Sequence, residues 1–182
     1  MDDHWFGKNR AHFNALLEPL KARTVVPFVG AGISCTASLP TWTGHILHQA
    51  RSAGMDLSYI SAQLSSGEYE ATVEEIIAAR GEGLFIQEMR DAFDSDIGDA
   101  RVALMVVKLT KSIIVTTNYD RVLENALAIQ GETAAEMVTP AEDNARIIRA
   151  QSNGQRALLK LHGDIRTPSS YVLSKAQYDA SY

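Results

Sequence analysis

Residues 25–34 of the chain read VVPFVGAGIS, an apolar run that changes abruptly into two glycines separated by one small residue. The run predicts a short strand over residues 24–29 with both faces covered, as in a parallel sheet. Pro27 has no backbone N–H, so we expect weak pairing at that position. A plain turn from strand to helix needs at most one glycine. The two glycines around Ala31 therefore indicate that a ligand approaches the backbone closely.

The segments on either side of this strand have helical spacing. Downstream, five helical segments separated by Gly, Ser or Asp breaks run from Trp42 to about Leu109. We interpret about residues 42–110 as a helical insertion between the first two strands. Upstream, apolar residues at helical intervals predict an amphipathic helix that covers the first strand: Ala11, Phe13, Leu16, Leu17 and Leu20.

Strands alternate with helices in the second half of the chain. SIIVTTNYD (112–120) and RALLKLHGD (156–164) are typical of buried strands with polar ends, and a short strand is expected around Met137 and Val138. SYVLS (170–174) is a further strand candidate. Helices are expected over RVLENALAIQG, near residues 141–151, and from residue 175 onwards. The alternation predicts an α/β fold, a Rossmann-like parallel sheet with helices on both faces.

The composition excludes several classes of function. The chain has 182 residues, of which 46% are hydrophobic and 21% charged, and its net charge is −5. A negative chain is not expected to bind nucleic acid or anionic membranes broadly, and no apolar stretch is long enough to span a bilayer. Cys35 is the only cysteine, which excludes an intrachain disulfide and a cysteine-based zinc site. We expect a cytoplasmic protein.

Three predicted strands end in glycine or compact polar residues: GAGIS (30–34), TTNYD (116–120) and LHGD (161–164). Ligands of open α/β sheets bind beyond the carboxyl ends of the strands, so these ends predict one pocket. Backbone N–H groups around Ala31 suit a pyrophosphate. A lone G-x-G is also common in ordinary turns, and Cys35 stands where a dinucleotide fingerprint has its third glycine.

Each polar candidate also has an ordinary structural interpretation. Asn118 or Asp120 could cap the following helix, and His162 could be hydrogen-bonded at the sheet edge. Capping does not explain why a hydroxyl, an amide and a carboxylate occur within four residues. His45 and His48 are three residues apart and form a possible metal pair, but no third ligand has suitable spacing. We interpret both as surface or packing residues and expect no metal.

Taken together, GAGIS, TTNYD and LHGD resemble, in this order on successive strands, the sirtuin family of NAD-consuming enzymes. They are most similar to the sirtuin-like NAD hydrolase domains of bacterial anti-phage defence proteins. The resemblance runs from about Val25 to the end of the chain, and SLPTW (38–42) and LLKLHGD are similar to the bacterial branch. It implies that NAD is the substrate.

The resemblance also implies a role for each matching residue. Asn118 would hold the water or the hydroxyls beside the nicotinamide ribose, and His162 would be the general base at that ribose. Asp120 would contact the nicotinamide carboxamide, with Thr117 lining the same pocket. The NAD phosphates and ribose would lie against Gly30, Ala31, Gly32 and Ser34.

Two departures from the family pattern bear on the reaction. Classical sirtuins carry a Pro-Asp-Phe-Arg element after the glycine loop and a four-cysteine zinc module. Here the stretch in place of the Pro-Asp-Phe-Arg element reads LPTWTGH, in which Trp42 could cover the nicotinamide or be a core residue. A single cysteine cannot build the four-cysteine zinc module. The sequence therefore favours hydrolysis of NAD to nicotinamide and ADP-ribose over protein deacylation. A non-catalytic module that senses NAD or an ADP-ribose nucleotide is the alternative.

The resemblance also carries expectations about organisation and partners. Residues 1–182 are interpreted as a sirtuin-like NAD-binding domain, shortened at its C-terminal side because the family's adenosine-contacting strand motif does not occur. We expect a fused or associated sensor domain and a homo-oligomer. From the negative net charge we expect no direct binding of nucleic acid or membrane by this domain.

Overall fold

The protein, described by a computed structural model over residues 3–134, 136–140 and 145–181, contains one parallel sheet surrounded by helices. No helix in these ranges has the length and hydropathy needed to cross a membrane. The elements in chain order are α1 (Asp3–Ala22), β1 (Phe28–Val29), α2 (Gly32–Thr36), α3 (Trp42–Ser52), α4 (Leu57–Ser65), α5 (Tyr69–Arg80), α6 (Glu82–Phe93), α7 (Arg101–Leu109), β2 (Ile113–Thr116), α8 (Val122–Ile129), β3 (Glu136–Val138), α9 (Ala145–Ser152), β4 (Ala157–Lys160), a 3₁₀ turn (Pro168–Ser170) and α10 (Lys175–Ser181).

The four strands lie in the order β1-β2-β4-β3, and all three pairs are parallel. Val115 of β2 pairs with Phe28 on one side and with Leu159 on the other. The predicted fold class is confirmed, including the helical insertion, because α3 to α7 fill the connection between β1 and β2. Since all strands run the same way, their carboxyl ends share one edge of the sheet.

Two apolar clusters stabilise the fold. The sheet cluster is built on Ile114 and Leu158, which are completely buried against α7 and α8. The insertion cluster is built on Phe85 and Met89 of α6, and it also includes Tyr119 from the loop after β2. Full burial of each such side chain is worth about 1.5–3 kcal/mol. The loop after β2 therefore lies where the two clusters meet.

Two predictions about the N-terminal region are wrong in part. The first strand is shorter than residues 24–29, and it is not covered on both faces, because Phe28 is 67% exposed. β1 is an edge strand that pairs only with β2 within the described chain, although the Pro27 carbonyl still accepts a hydrogen bond from Val115 N at 2.9 Å. The predicted helix α1 is present, but Phe13 and Leu16 on its apolar face are themselves exposed, so it does not cover the strand as predicted.

The second half of the chain follows the predictions with one exception. β2, β3, β4, α8 and α10 lie where they were predicted, and α9 is described from Ala145 onwards. The first residues of its predicted range, 141–144, lie outside the described residues. SYVLS is not a strand, because its residues form no ladder. Tyr171 and Leu173 instead pack into the insertion cluster as irregular chain.

Candidate functional site

The loops that follow β1, β2 and β4 meet at one edge of the sheet and border a cavity of about 410 Å³. Small-molecule sites typically have volumes of about 300–1,000 Å³. Gly30 and Gly32 flank this cavity on either side of Ala31 without being among the residues that line it. Six of the predicted site residues contribute to its wall: Ala31, Ser34, Thr117, Asn118, Asp120 and His162.

Gly30 and Gly32 leave open space in front of the glycine loop. A Cβ atom at either position would meet no described atom within 4 Å, and neither residue has a positive φ. The fold itself therefore does not require glycine at these two positions. Helix α2 begins at Gly32 and has only five residues, so its dipole contributes little to the binding of an anion. An anion at this loop would be bound by individual backbone N–H groups.

Hydrogen bonds join the glycine loop to the loop after β2. Asn118 Nδ2 donates to the Gly30 carbonyl oxygen at 3.0 Å and to Ser34 Oγ at 2.9 Å. Ser34 Oγ in turn donates to Asp120 Oδ2 at 2.5 Å. Ser34 is only 2% exposed, and its one hydroxyl proton is used within the protein. Its observed role is thus to hold the other two side chains in place.

Asn118 and Asp120 differ in how they relate to helix α8. Asp120 Oδ1 accepts a hydrogen bond from Val122 N at 3.0 Å, so the capping interpretation holds for Asp120. Asn118 is not a cap, since its own N–H donates to Thr116 Oγ1 and its Nδ2 is directed to the glycine loop. Among the described residues no group donates to Asn118 Oδ1. That oxygen is therefore available to accept a hydrogen bond from a ligand in the cavity.

His162 lies two residues beyond the end of β4, half-buried in the cavity wall. Its main-chain carbonyl accepts a hydrogen bond from Val172 N at 3.0 Å, but no described residue hydrogen-bonds either ring nitrogen. The alternative of a histidine ring hydrogen-bonded at the sheet edge is therefore not observed. Burial lowers the pKa of His162, and the nearby Glu70 carboxylate opposes this only in part. The ring is neutral at neutral pH and can accept a proton.

Gly163 fixes the backbone immediately after His162. Its φ is +102°, and a Cβ atom there would lie 2.7 Å from the carbonyl carbon of Ser170 and 2.8 Å from its Oγ. The same hydroxyl accepts a hydrogen bond from Asp164 N at 3.0 Å. The loop that carries His162 is therefore closely packed, and Gly163 is needed for its conformation.

Aromatic rings form the apolar part of the cavity wall. The Trp42 ring lies 5.6 Å from that of Tyr119 and 6.0 Å from that of Phe93, measured between centroids. Trp42 also stacks on His45 at 5.7 Å. Trp42 therefore has both of the roles that the sequence left open, since it packs against the insertion cluster and lines the cavity. A flat, uncharged or cationic ring fits such a wall.

Several lining residues were missed in the sequence. Thr41 and Thr43 follow the glycine loop on either side of Trp42, and the LPTW stretch was the available signal for them. Tyr69 and Glu70 come from the start of α5. No local signal distinguishes them from ordinary residues of an amphipathic helix, since only the packing of the insertion against the sheet brings them to the cavity.

The histidine pair on α3 does not form a metal site. His45 is buried beneath Trp42, whereas His48 is exposed on the same helix. No group of three or more His, Cys, Asp or Glu side chains suited to a metal ion occurs in the described part of the chain. The sequence analysis interpreted the pair as surface or packing residues. In the structure His45 packs against Trp42, and His48 lies on the surface.

Comparison with known proteins identifies the class. Residues 112–182 match the family model of the SIR2-like domain. The chain is 24% identical to NAD(+) hydrolase ThsA of Bacillus cereus (strain MSX-D12) over 152 residues, covering 84% of this chain and 30% of the relative. It is 28% identical to Defense-associated sirtuin 2 of Bacillus subtilis over 144 residues, covering 78% and 13% of the two chains. A third relative, NAD(+) hydrolase ThsA of Acinetobacter baumannii (strain 532279), is 22% identical over 169 residues, with 91% and 32% covered.

The fold therefore defines a Rossmann-like α/β protein, with a cavity at the carboxyl ends of its parallel strands. The match over residues 112–182 and the relatives named above confirm the resemblance to sirtuin-like proteins that was stated from the three motifs. The chain spans about a third or less of the length of these curated relatives.

Proposed function

We propose that this protein hydrolyses NAD to nicotinamide and ADP-ribose. A water oxygen attacks the anomeric carbon of the nicotinamide ribose while the bond from that carbon to the ring nitrogen breaks. The bonding electron pair neutralises the pyridinium nitrogen, so nicotinamide leaves without an acid and without a metal. The water proton passes to a base. The relatives named as NAD(+) hydrolases support this reaction class.

The observation that carries the proposal is the state of His162 in the cavity wall. A histidine that acts as the base must be neutral, must face the substrate and must have a ring nitrogen that forms no hydrogen bond within the protein. His162 meets the first condition because its pKa is lowered by burial. It meets the others because it lines the cavity without a hydrogen bond from any described residue to its ring. A histidine that served only the fold would be expected to have such a bond.

The remaining site residues are assigned to binding and orientation. Asn118 Oδ1 accepts a hydrogen bond from the attacking water or from a ribose hydroxyl, because Nδ2 is held by Gly30 and Ser34. Orientation of this kind can contribute as much as the base itself. The NAD phosphates lie in the open space along Gly30, Ala31 and Gly32, while Thr117 and Asp120 border the nicotinamide end. Ser34 supports this end from behind.

The physiological role belongs to the same proposal. A relative named as a defence-associated sirtuin supports an effector that depletes NAD during infection. We propose that it acts in the cytoplasm, as a homo-oligomer and together with a fused or associated sensor domain. The rate of nicotinamide release per protein molecule should then rise with protein concentration, and a dilution series would measure this.

Nicotinamide release from NAD, followed by chromatography, tests the reaction. His162→Ala and Asn118→Ala should each lower kcat by at least about 10²-fold, as expected when a positioned base or its partner is removed. His48→Ala and Asn153→Ala are matched controls, because both side chains are exposed and lie outside the cavity. Binding of NAD by the wild-type protein without release of nicotinamide would instead establish the non-catalytic sensing module. Wild-type rates in His162→Ala would remove the base from the mechanism.

A further inference from the structure

Lys160, the last residue of β4, is completely buried and is surrounded by oxygen atoms. Its Nζ donates to the main-chain carbonyls of Tyr119 at 2.9 Å and Asp120 at 2.5 Å. It also lies 2.7 Å from Asp164 Oδ2 and 3.0 Å from Glu124 Oε1. Two of these partners are on the loop after β2, one is on the loop after β4, and one is on α8.

A buried ammonium is costly unless it is paired, since the effective desolvation penalty is several kcal/mol for each ion. Asp164 is its main counter-charge and is itself 1% exposed. Burial alone would raise the pKa of Asp164, but the Lys160 ammonium lowers it overall, so this carboxyl is ionised at neutral pH. For Glu124 burial outweighs Lys160, and its pKa is raised. The charge of Lys160 is therefore balanced first by Asp164.

Stability alone does not account for a lysine here, because an apolar side chain of similar volume at a buried ion pair is often neutral or stabilising. The ammonium instead forms hydrogen bonds to the loop after β2 and to the loop after β4 at the same time. Tyr119 and Asp120 are the two residues after Asn118, and Asp164 lies two residues after His162.

Tyr119 also links the loop after β2 to the loop after β4, through hydrogen bonds from Ile165 N to its carbonyl at 2.9 Å and from its hydroxyl to the Val172 carbonyl at 2.7 Å. Its ring contacts those of His162 and Tyr171. Lys160 adds to these contacts a buried charge that bonds to both loops at once.

We propose that Lys160 is a positioning residue that binds these two loops together, so that Asn118 and His162 face the same cavity. This rests on the proposed function only where activity is the readout. The structural part of the proposal concerns loop geometry and is independent of the substrate.

Lys160→Met tests this, with Arg156→Met as the matched control. Arg156 is a buried cation at the opposite end of the same strand, where it donates to the Val107 carbonyl at 2.7 Å and pairs with Glu132. Amide hydrogen exchange should become at least about tenfold faster at residues 117–121 and 162–166 in Lys160→Met. It should stay unchanged there in Arg156→Met. Equal exchange in these loops in both variants would overturn the proposal.

An NMR titration of His162 gives a readout that a general loss of stability does not move. As the loops separate, water reaches the ring, and the pKa of His162 should rise towards 6.5 in Lys160→Met but not in Arg156→Met. Among the described residues, Glu70 is the charged group that influences the His162 ring, and both variants retain it. An unchanged pKa of His162 in Lys160→Met would contradict loop positioning. If Lys160→Met does not fold, the double variant with Asp164→Asn removes the unpaired carboxylate and is measured instead.

Activity separates this proposal from the proposed function. The expected loss in nicotinamide release is about 10²-fold in kcat, as for displacement of a catalytic group by about 1 Å. If exchange and titration change as expected while the wild-type protein releases no nicotinamide, Lys160 remains the positioning residue and the hydrolase proposal is wrong. If the wild-type protein is active and Lys160→Met retains its full kcat, the positioning role is wrong.

Discussion

Acidification should destabilise this protein through His45, a buried histidine beneath the cavity wall. Arg80 donates to Gln49 Oε1, which fixes the amide so that Gln49 Nε2 points to His45 Nε2 at 3.2 Å. The imidazole nitrogen must therefore accept, and a protonated ring would set two donors against each other. Burial lowers the pKa of His45 to about 4, assisted by His48 and Arg80 and opposed by Glu88.

The magnitude follows from linkage between protonation and folding. Between the ordinary pKa of 6.5 and about 4, the unfolded chain binds a proton at His45 that the folded chain does not. The contribution of the neutral His45 ring to stability is thus complete above about pH 6.5 and decreases as the pH falls below that value. The loss reaches its full size below about pH 4. At about 1.4 kcal/mol per pKa unit the full loss is about 3 kcal/mol, of which about 2 kcal/mol is lost at pH 5.

Urea unfolding at pH 7 and pH 5 measures this loss. Between pH 7 and pH 5 the wild-type protein should lose about 2 kcal/mol more of its free energy of unfolding than His45→Gln, because glutamine does not titrate. His48→Gln, an exposed position on the same helix, should behave as the wild type. Identical losses in wild type and His45→Gln would refute the account of a neutral buried ring.

Three further outcomes are expected. If His162 is the base, the acidic limb of the rate profile should lie below pH 6.5, because burial lowers its pKa, and kcat measured from pH 4.5 to 8 checks this. Gly163→Ala should cost at least about 2 kcal/mol from backbone strain and overlap with its neighbour, whereas Gly54→Ala, with φ +69° and open space, should cost about 1 kcal/mol. Leu158→Ala should lower the free energy of unfolding by about 2–5 kcal/mol and Ile148→Ala by less than about 0.5 kcal/mol, since only the first is buried.

The sequence predicted the elements better than it predicted their packing. Helices α3 to α7 are helix-forming segments separated by Gly, Ser or Asp breaks, and β2 and β4 are short apolar runs with polar ends. Local sequence can report both kinds of pattern. Phe28 and Phe13 have the same apolar character as core residues, yet both are exposed. Which face of an edge strand is covered depends on elements distant in sequence, so no local pattern could reveal it.

The sequence predicted which residues lie at the candidate site but not the hydrogen bonds that join them. Motif positions at strand ends identified Asn118, Asp120 and His162, because parallel strands bring their carboxyl ends together. The sequence could not show that the Ser34 hydroxyl donates its hydrogen bond to Asp120, or that Lys160 lies between two loops. Hydrogen bonds over 86 and 41 residues of chain depend on the register of the sheet, which the motifs do not encode.

The long helical connection between β1 and β2 has a consequence for the order of folding. Bringing Ser34 to Asp120 closes a loop of 86 residues, at an entropic cost of about 4 kcal/mol. Contacts within the insertion, such as those around Phe85 and Met89, are closer in sequence and can form first. We therefore expect the cavity to be completed late in folding. A ligand that occupies it is then expected to slow unfolding and to leave the folding rate unchanged.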